Sequence, residues 1–280
     1  MKVYKIIGRL KALSPIFHGG NEKTGNVVLL NRLKFIVGNK IMDIPIISGN
    51  QVRGRLRRLI MNDFLERLGY KMELSEKSYQ KLYHTLFAGG VLTEATPSET
   101  GVIDLTLKKK IVDYILPLRL LGCSYSNQMI EGRLLVGHML PICKELKEYV
   151  GLESNISVYE FITRAYQTRR DELRVGKEEE EESVQMIVEY EVFAPGTEFY
   201  HEIILRTTSE REELDLSTLH RMIELWKQQP FIGGKSSIGF GKLAINYEFP
   251  KRIDSKPYLE FIEKNRDKII DALEELRNRL

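Results

Sequence analysis

The segment Phe231-Ile-Gly-Gly-Lys-Ser-Ser-Ile-Gly-Phe-Gly-Lys-Leu243 constrains the fold more than any other part of this chain. It sets Gly233, Gly234, Gly239 and Gly241 around Lys235, Ser236 and Ser237, then runs into the strand-like Leu243–Phe249. Glycine reaches positive φ and lets a backbone approach its neighbours or a ligand closely. Free N–H groups beside a lysine suit an anionic partner such as phosphate. A phosphate-binding P-loop needs G-x-x-x-x-G-K-[ST] followed by a helix. Here the residue five before Gly234 is Gln229 and a strand follows, which excludes that motif. A glycine-rich hairpin with no ligand remains the plain alternative.

A length of 280 residues suits one large domain or two modest ones, and 42% hydrophobic content supports a real core. Charged residues make up 29% of the chain, yet the net charge is only +3. Nucleic-acid binding would therefore have to rest on local clusters of charge. Cys123 and Cys143 form no metal-ligand spacing and read as reduced, structural thiols. No signal-like segment or membrane-spanning run is present, so a cytoplasmic location away from membranes is expected.

Along the chain, residues 2–13 alternate like a half-buried strand. Residues 21–43 form a glycine-punctuated insert with strand candidates at Val27–Leu30 and Leu33–Val37. Ser48 is positioned to cap a helix reaching Leu68, with Val52, Leu56, Leu59, Ile60, Phe64 and Leu68 on one face. Further helices are expected at Ser75–Leu86, at Asp104–Leu121 with a break at Pro117, at Leu214–Gln229 and at Tyr258–Leu280. Arg133–Ile142 reads as a strand. Val184–Val192 and Glu198–Thr207 read as a hairpin turned by Ala194-Pro-Gly196. Residues 91–101 read as loop, and 154–183 as a charged excursion holding the acidic run Glu178–Glu182. Two strand–helix–strand halves with long excursions suit an α+β, ferredoxin-like (RRM-like) palm in a single domain, with insertions at about 21–43 and 90–183.

Phe17-His-Gly-Gly20, Ile44-Pro-Ile-Ile-Ser-Gly-Asn-Gln-Val-Arg-Gly-Arg-Leu-Arg-Arg58 and the glycine-rich segment together resemble the RAMP superfamily of class 1 CRISPR systems, specifically its Cas-seven backbone subunit. The resemblance implies a palm with a thumb-like insertion that polymerises along a CRISPR guide RNA. The partners it implies are the guide RNA, copies of the same chain in a helical filament, other effector subunits, and a target nucleic acid reached by guide pairing. It implies no cofactor and no metal. In type III relatives a carboxylate after the first glycines supports target cutting; here the matching position falls near Asn31, and asparagine is not an anionic ligand or base. A non-cutting subunit of type IV-like or type I-like character is the expectation. A RAMP endoribonuclease with His18 as general base is the alternative.

The expected RNA contacts are His18, Gly19 and Gly20; Ser48, Gly49, Asn50 and Gln51 at a helix start that favours anions; and the arginines Arg53, Arg57 and Arg58. Gly233, Gly234, Lys235, Ser236 and Ser237 add the glycine-rich loop. Arg164, Tyr166, Arg169 and Arg170 mix aromatic and basic character suited to single strands. The arginines after Gly49 are expected to project toward solvent or ligand; a merely solvated basic face is the competing explanation. For Tyr159–Arg170 the competing explanation is an amphipathic helix burying Tyr159, Phe161, Ile162 and Tyr166.

Overall fold

The computed structural model describes residues 1–25, 27–90, 104–126, 128–169 and 186–280. In chain order the strands are β1 (Lys2–Ala12), β2 (Gly19–Thr24), β3 (Val27–Leu30), β4 (Arg32–Val37) and β5 (Lys40–Pro45). The helices α1 (Gly49–Leu68), α2 (Lys77–Ala88), α3 (Leu105–Tyr114) and α4 (Leu116–Leu121) follow. Next come β6 (Cys123–Tyr125), β7 (Gln128–Ile130), β8 (Leu134–Val136), β9 (Leu140–Pro141), α5 (Lys147–Val150) and β10 (Ile162–Arg169). The chain ends with β11 (Met186–Phe193), β12 (Glu198–Thr207), α6 (Glu212–Gln228), β13 (Leu243–Glu248), α7 (Lys256–Lys264) and α8 (Arg266–Arg279).

The central sheet has the order β13-β1-β12-β8, with β9 also on β12, and its neighbouring strands run antiparallel. Strand alternation buries Ile6, Leu10 and Ala12 of β1 with Phe199, Ile203 and Leu205 of β12 on one face. The apolar stripe of α1 and the Leu216, Leu219, Met222, Ile223 and Trp226 side of α6 close over that face. Gly8 lies between His201 on β12 and Tyr247 on β13. A Cβ there would come within 2.4 Å of the Tyr247 ring, so glycine lets the tyrosine cross β1 to reach His201.

A second sheet runs β10-β11-β3-β2, with β11 parallel to β3. Thus the 21–43 insert and the 154–183 excursion contribute strands to one sheet. The hairpin β4–β5 packs Phe35, Val37 and Met42 over a smaller core of Ile44, Ile46, Cys143, Leu146, Val150 and Val158. Among the described residues, no helix is long and apolar enough to cross a membrane.

Several expectations change. β11 and β12 do not pair as a hairpin: Ala194–Thr197 carries the chain from the second sheet to the central one, where β1 takes one edge of β12 and β8 and β9 take the other. Arg133–Ile142 is two short strands separated at Gly137–His138, where Gly137 N–H still bonds Glu202 O. The helix expected over Asp104–Leu121 breaks at Ile115, since Pro117 belongs in the first turn of α4. The C-terminal helix is interrupted at Asn265. Residues Val158–Phe161 form a 3-10 turn leading into strand β10, so the amphipathic-helix explanation for Tyr159–Arg170 falls, and Tyr159 and Tyr166 are exposed. Residues 116–141, placed by sequence inside an insertion, supply β8 and β9 to the central sheet and α4 to the core. The acidic run Glu178–Glu182 and the loop expected at 91–101 lie outside the described residues.

A buried ion pair fastens these layers. Arg119 of α4 donates from Nε and Nη2 to the two carboxylate oxygens of Asp215 on α6, at 2.7 and 3.1 Å, and Thr207 of β12 donates to the same carboxylate. Removing one member strands the other's charge in the core. Arg119→Met is therefore expected to lose about 3–5 kcal/mol of stability, measured by urea denaturation; a loss below about 1 kcal/mol would mean that water reaches Asp215.

Candidate nucleic-acid interface

Three sequence segments meet at one place. Gly234 N–H donates to Phe17 O at 2.9 Å, and Gly241 N–H to Pro15 O at 2.8 Å, so the glycine-rich loop lies along the chain leaving β1. The next residue, His18, accepts at Nε2 from Ser48 N–H at 3.2 Å. Asn31 is bound into the same joint: its N–H donates to His18 O, its carbonyl accepts from Ile46, and its side-chain amide faces His18 Nε2 at 3.4 Å.

Glycine is required at two loop positions. Gly233 has φ +82° with a Cβ position 2.3 Å from Phe17 O, and Gly241 has φ +83° with one 2.0 Å from Ile232 O. Between them Ser236–Ile238 form a 3-10 turn whose Ser236 and Ser237 are exposed. Lys235 adopts φ +64°, a left-handed conformation that strains a side-chain-bearing residue. Its ammonium is held in place: Nζ donates to Gln167 Oε1 at 2.8 Å and Tyr190 Oη at 2.9 Å, and lies 4.0 Å from the Tyr190 ring centroid. Phe17 packs edge-on to Tyr190. Lys235 thus ties the loop to the second sheet, whereas the sequence pointed to a lysine free for phosphate.

The start of α1 is equally committed. Ser48 Oγ accepts from Gln51 N–H as expected of a cap. Gly49 N–H donates to His138 Nδ1 at 3.0 Å, and a Cβ on Gly49 would sit 2.4 Å from Val136 O. His138 was not legible as a participant, since nothing in its surroundings forms a motif. The link between β8 and β9 that presents it is anchored by His201, which donates from Nε2 to Gly137 O and accepts at Nδ1 from Tyr247. Burial pushes the His201 pKa down to about 4 and lowers that of His18 as well.

The arginines divide. Arg57 does not project to solvent: it is buried, and donates to Leu86 O at 3.4 Å, Leu121 O at 2.8 Å and Gly122 O at 2.9 Å. Those carbonyls end α2 and α4, so the cation sits at the negative ends of two helices. Burial, then the neighbouring Arg53, pull its pKa down to about 10. Arg53 is also turned inward, to Leu121 O and Leu134 O. Arg58 is exposed, and Asn50 with it. Arg55 reaches Gln229 O at 2.8 Å, at the foot of the glycine-rich segment.

On the second sheet Arg164 and Tyr166 are exposed beside Glu189, and Arg164 lies 3.7 Å from its carboxylate. Strand alternation puts them on the face opposite Gln167, Tyr190 and Lys235. Arg169 ends β10 and Arg170 lies outside the described residues. Gly19 and Gly20 begin β2, where Gly20 approaches the Asn31 backbone. Among the described residues no group of His, Cys, Asp and Glu could hold a metal.

The sequence profile of the RAMP superfamily matches residues 9–244. The chain belongs to the RAMP superfamily. No curated protein matches it in sequence. Its fold is similar to a chain of a solved structure titled "Type IV-B CRISPR Complex", with a TM-score of 0.62 at 19% identity, covering 90% of this chain and 96% of that one. The family match runs from within β1 through the glycine-rich loop to the start of β13.

Two stability tests separate the roles assigned above. Arg57→Met should cost about 3 kcal/mol by leaving helix-terminal carbonyls unmet, while Arg58→Ala should change stability by less than about 0.5 kcal/mol; thermal melts of both variants decide this. His201 stays neutral in the fold below the pH at which the unfolded chain takes up its proton. Its contribution is therefore present above about pH 6.5 and lost progressively toward pH 4, on the order of 3 kcal/mol. Denaturation midpoints across that window should slope less steeply in His201→Gln than in the unaltered chain.

Proposed function

We propose that this RAMP protein is a Cas-seven-type backbone subunit of a class 1 CRISPR effector complex, of type IV-like character, which holds a guide RNA as a single strand. The observation that carries the reading is the junction of Phe17–Gly20, the Ser48 helix start and the glycine-rich loop through backbone bonds. These are the segments whose sequence resembles that subunit, and they are brought to one surface. The order β13-β1-β12-β8, threaded through α1 and α6, supports a ferredoxin-like palm. The second sheet, built from both excursions, supports a finger or thumb element. The similar structure's title names a type IV-B complex, which favours that character.

In this reading Arg58, Asn50, Ser236 and Ser237 face the RNA, with Gly233 and Gly234 shaping the loop. Arg53, Arg57 and Lys235 act by holding the surface in place. Copies of the chain line up along the guide with other effector subunits, and guide pairing selects the target. The subunit works in the cytoplasm and does not cut. His18 carries the case against the processing-nuclease alternative: a general base needs a free lone pair near its substrate. In His18 the Nε2 lone pair already accepts from Ser48, so the neutral ring's proton is on Nδ1.

Expression without nuclease treatment, followed by mass and absorbance measurements before and after ribonuclease, tests the reading. A large, ribonuclease-sensitive assembly with regularly protected RNA is expected. A nucleic-acid-free monomer that cleaves a repeat hairpin without metal would replace it with the nuclease. In reconstituted binding, Arg58→Ala should lower the slope of log affinity against log salt by about 1, and Arg57→Lys should leave that slope unchanged.

A further inference from the structure

Two glycines of α1 have opposite explanations. Gly49 is demanded by packing, because a Cβ would run into the carbonyls of Val136 at 2.4 Å and Gly137 at 2.6 Å. Gly54 is not. It lies in the second turn of a 20-residue helix, and it is absent from the positive-φ residues. A Cβ built on it meets only the tip of a flexible side chain, Arg58 Nη1 at 3.7 Å and Nη2 at 4.0 Å. Glycine inside a helix weakens it relative to alanine. Neither backbone conformation nor internal packing offsets that loss.

The surroundings of Gly54 point outward. Asn50 and Arg58 stand one turn before and one turn after it on the same helix stripe, and both are exposed. Arg55 lies beside them, and the Arg58 charge depresses its pKa after burial does. Arg55 Nε is buried without a hydrogen-bond partner. Among the described residues, neither Arg55 nor Arg58 has a carboxylate partner, although ion pairs are common elsewhere on this surface. Two like charges therefore flank a strip of helix backbone that only the flexible Arg58 side chain overlies. Through Gln229, Arg55 joins that strip to the base of the glycine-rich loop.

We infer that Gly54 is a binding position where the sugar–phosphate backbone of a single RNA strand lies directly on α1. The missing side chain admits the sugar to the helix surface, and phosphates on either side meet Arg58 and Arg55. This rests on the RNA-binding reading and adds to it a contact that no charged residue would reveal. Close approach of backbone to ligand is what glycine uniquely permits. Phosphate neutralisation also removes the repulsion between the two guanidiniums.

The test measures stability and RNA affinity together for Gly54→Ala and Gly54→Leu, using a labelled single-stranded RNA of mixed sequence. Alanine meets only the Arg58 tip at ordinary contact distance, and leucine displaces only that flexible side chain, so both variants should fold. Gly54→Ala should melt roughly 2 °C higher, yet bind RNA more weakly, and Gly54→Leu should bind on the order of tenfold more weakly. Opposite movement of stability and affinity is the signature of a position left small for a ligand. If the unaltered chain binds RNA and both variants bind equally well, the inference falls while the RNA-binding reading stands. If Gly54→Ala melts lower, the glycine has a structural cause and the inference also falls. If the unaltered chain binds no RNA, the reading and the inference fall together.

Discussion

The backbone of Gly49 rests against the carbonyls of Val136 and Gly137, and this contact sets where α1 begins. No side chain fits there. The contact requires the link between β8 and β9 to leave regular pairing at Gly137–His138, which is why a strand expected to be continuous is broken. That link is fixed from behind by the neutral His201 ring, which Tyr247 reaches only because Gly8 lets it cross β1. Ser48 and Gly49 then find two histidine rings, His18 and His138, as acceptors for their amides. A helix start is ordinarily open to anions. Here the amides at its opening are largely consumed by the fold, so the part of α1 left open is its exposed side one turn further along.

The four arginines Arg53, Arg55, Arg57 and Arg58 look alike in sequence and differ by their angle around the helix. At 100° per residue, Arg57 and Arg53 point toward the C-terminal ends of α2 and α4, whose carbonyls would otherwise lack donors. A guanidinium satisfies several carbonyls at once, which an ammonium does with poorer geometry. Arg58 points away from these ends and keeps its charge at the surface. Buried cations thus meet the ends of α2 and α4, and the exposed one stays in solvent. Lys235 follows the same logic: its ammonium is held by Gln167, Tyr190 and a ring face, and it ties down a strained loop.

Local signals were legible where one residue's chemistry decides the outcome. Ser48 caps α1 as expected, Gly69 ends it in a left-handed conformation, and the alternation of residues 2–13 matches β1. The strand candidates Val27–Leu30 and Leu33–Val37 also hold. Partnership between strands was not legible, because alternation states which face is buried and not which neighbour is paired. So β11 and β12 looked like a hairpin across Pro195-Gly196, although one edge of β12 holds β1 and the other β8 and β9. The sharing of one sheet by β3 and β11 rests on contacts about 160 residues apart, such as Leu30 N–H and Arg32 with Glu191. Of the candidate site, the three segments were visible, but the direction of each cation was not. Direction depends on α2 and α4, which the sequence does not connect to α1.

The second sheet carries two unlike faces, and this bears on how one subunit meets its surroundings. One face holds Tyr190 and Gln167 against Lys235 and Phe17, so it is used in supporting the glycine-rich loop. The other presents Tyr166 and Arg164 outward, with Glu189 close enough to moderate the positive charge. A single strand lying along α1 and the loop would contact the first side of the joint and not these residues. Tyr166 and Arg164 take no part in holding the loop. An exposed aromatic beside a partly neutralised arginine gives stacking without a strong phosphate charge. That chemistry differs from the basic side of α1, where Arg58 has no carboxylate partner among the described residues.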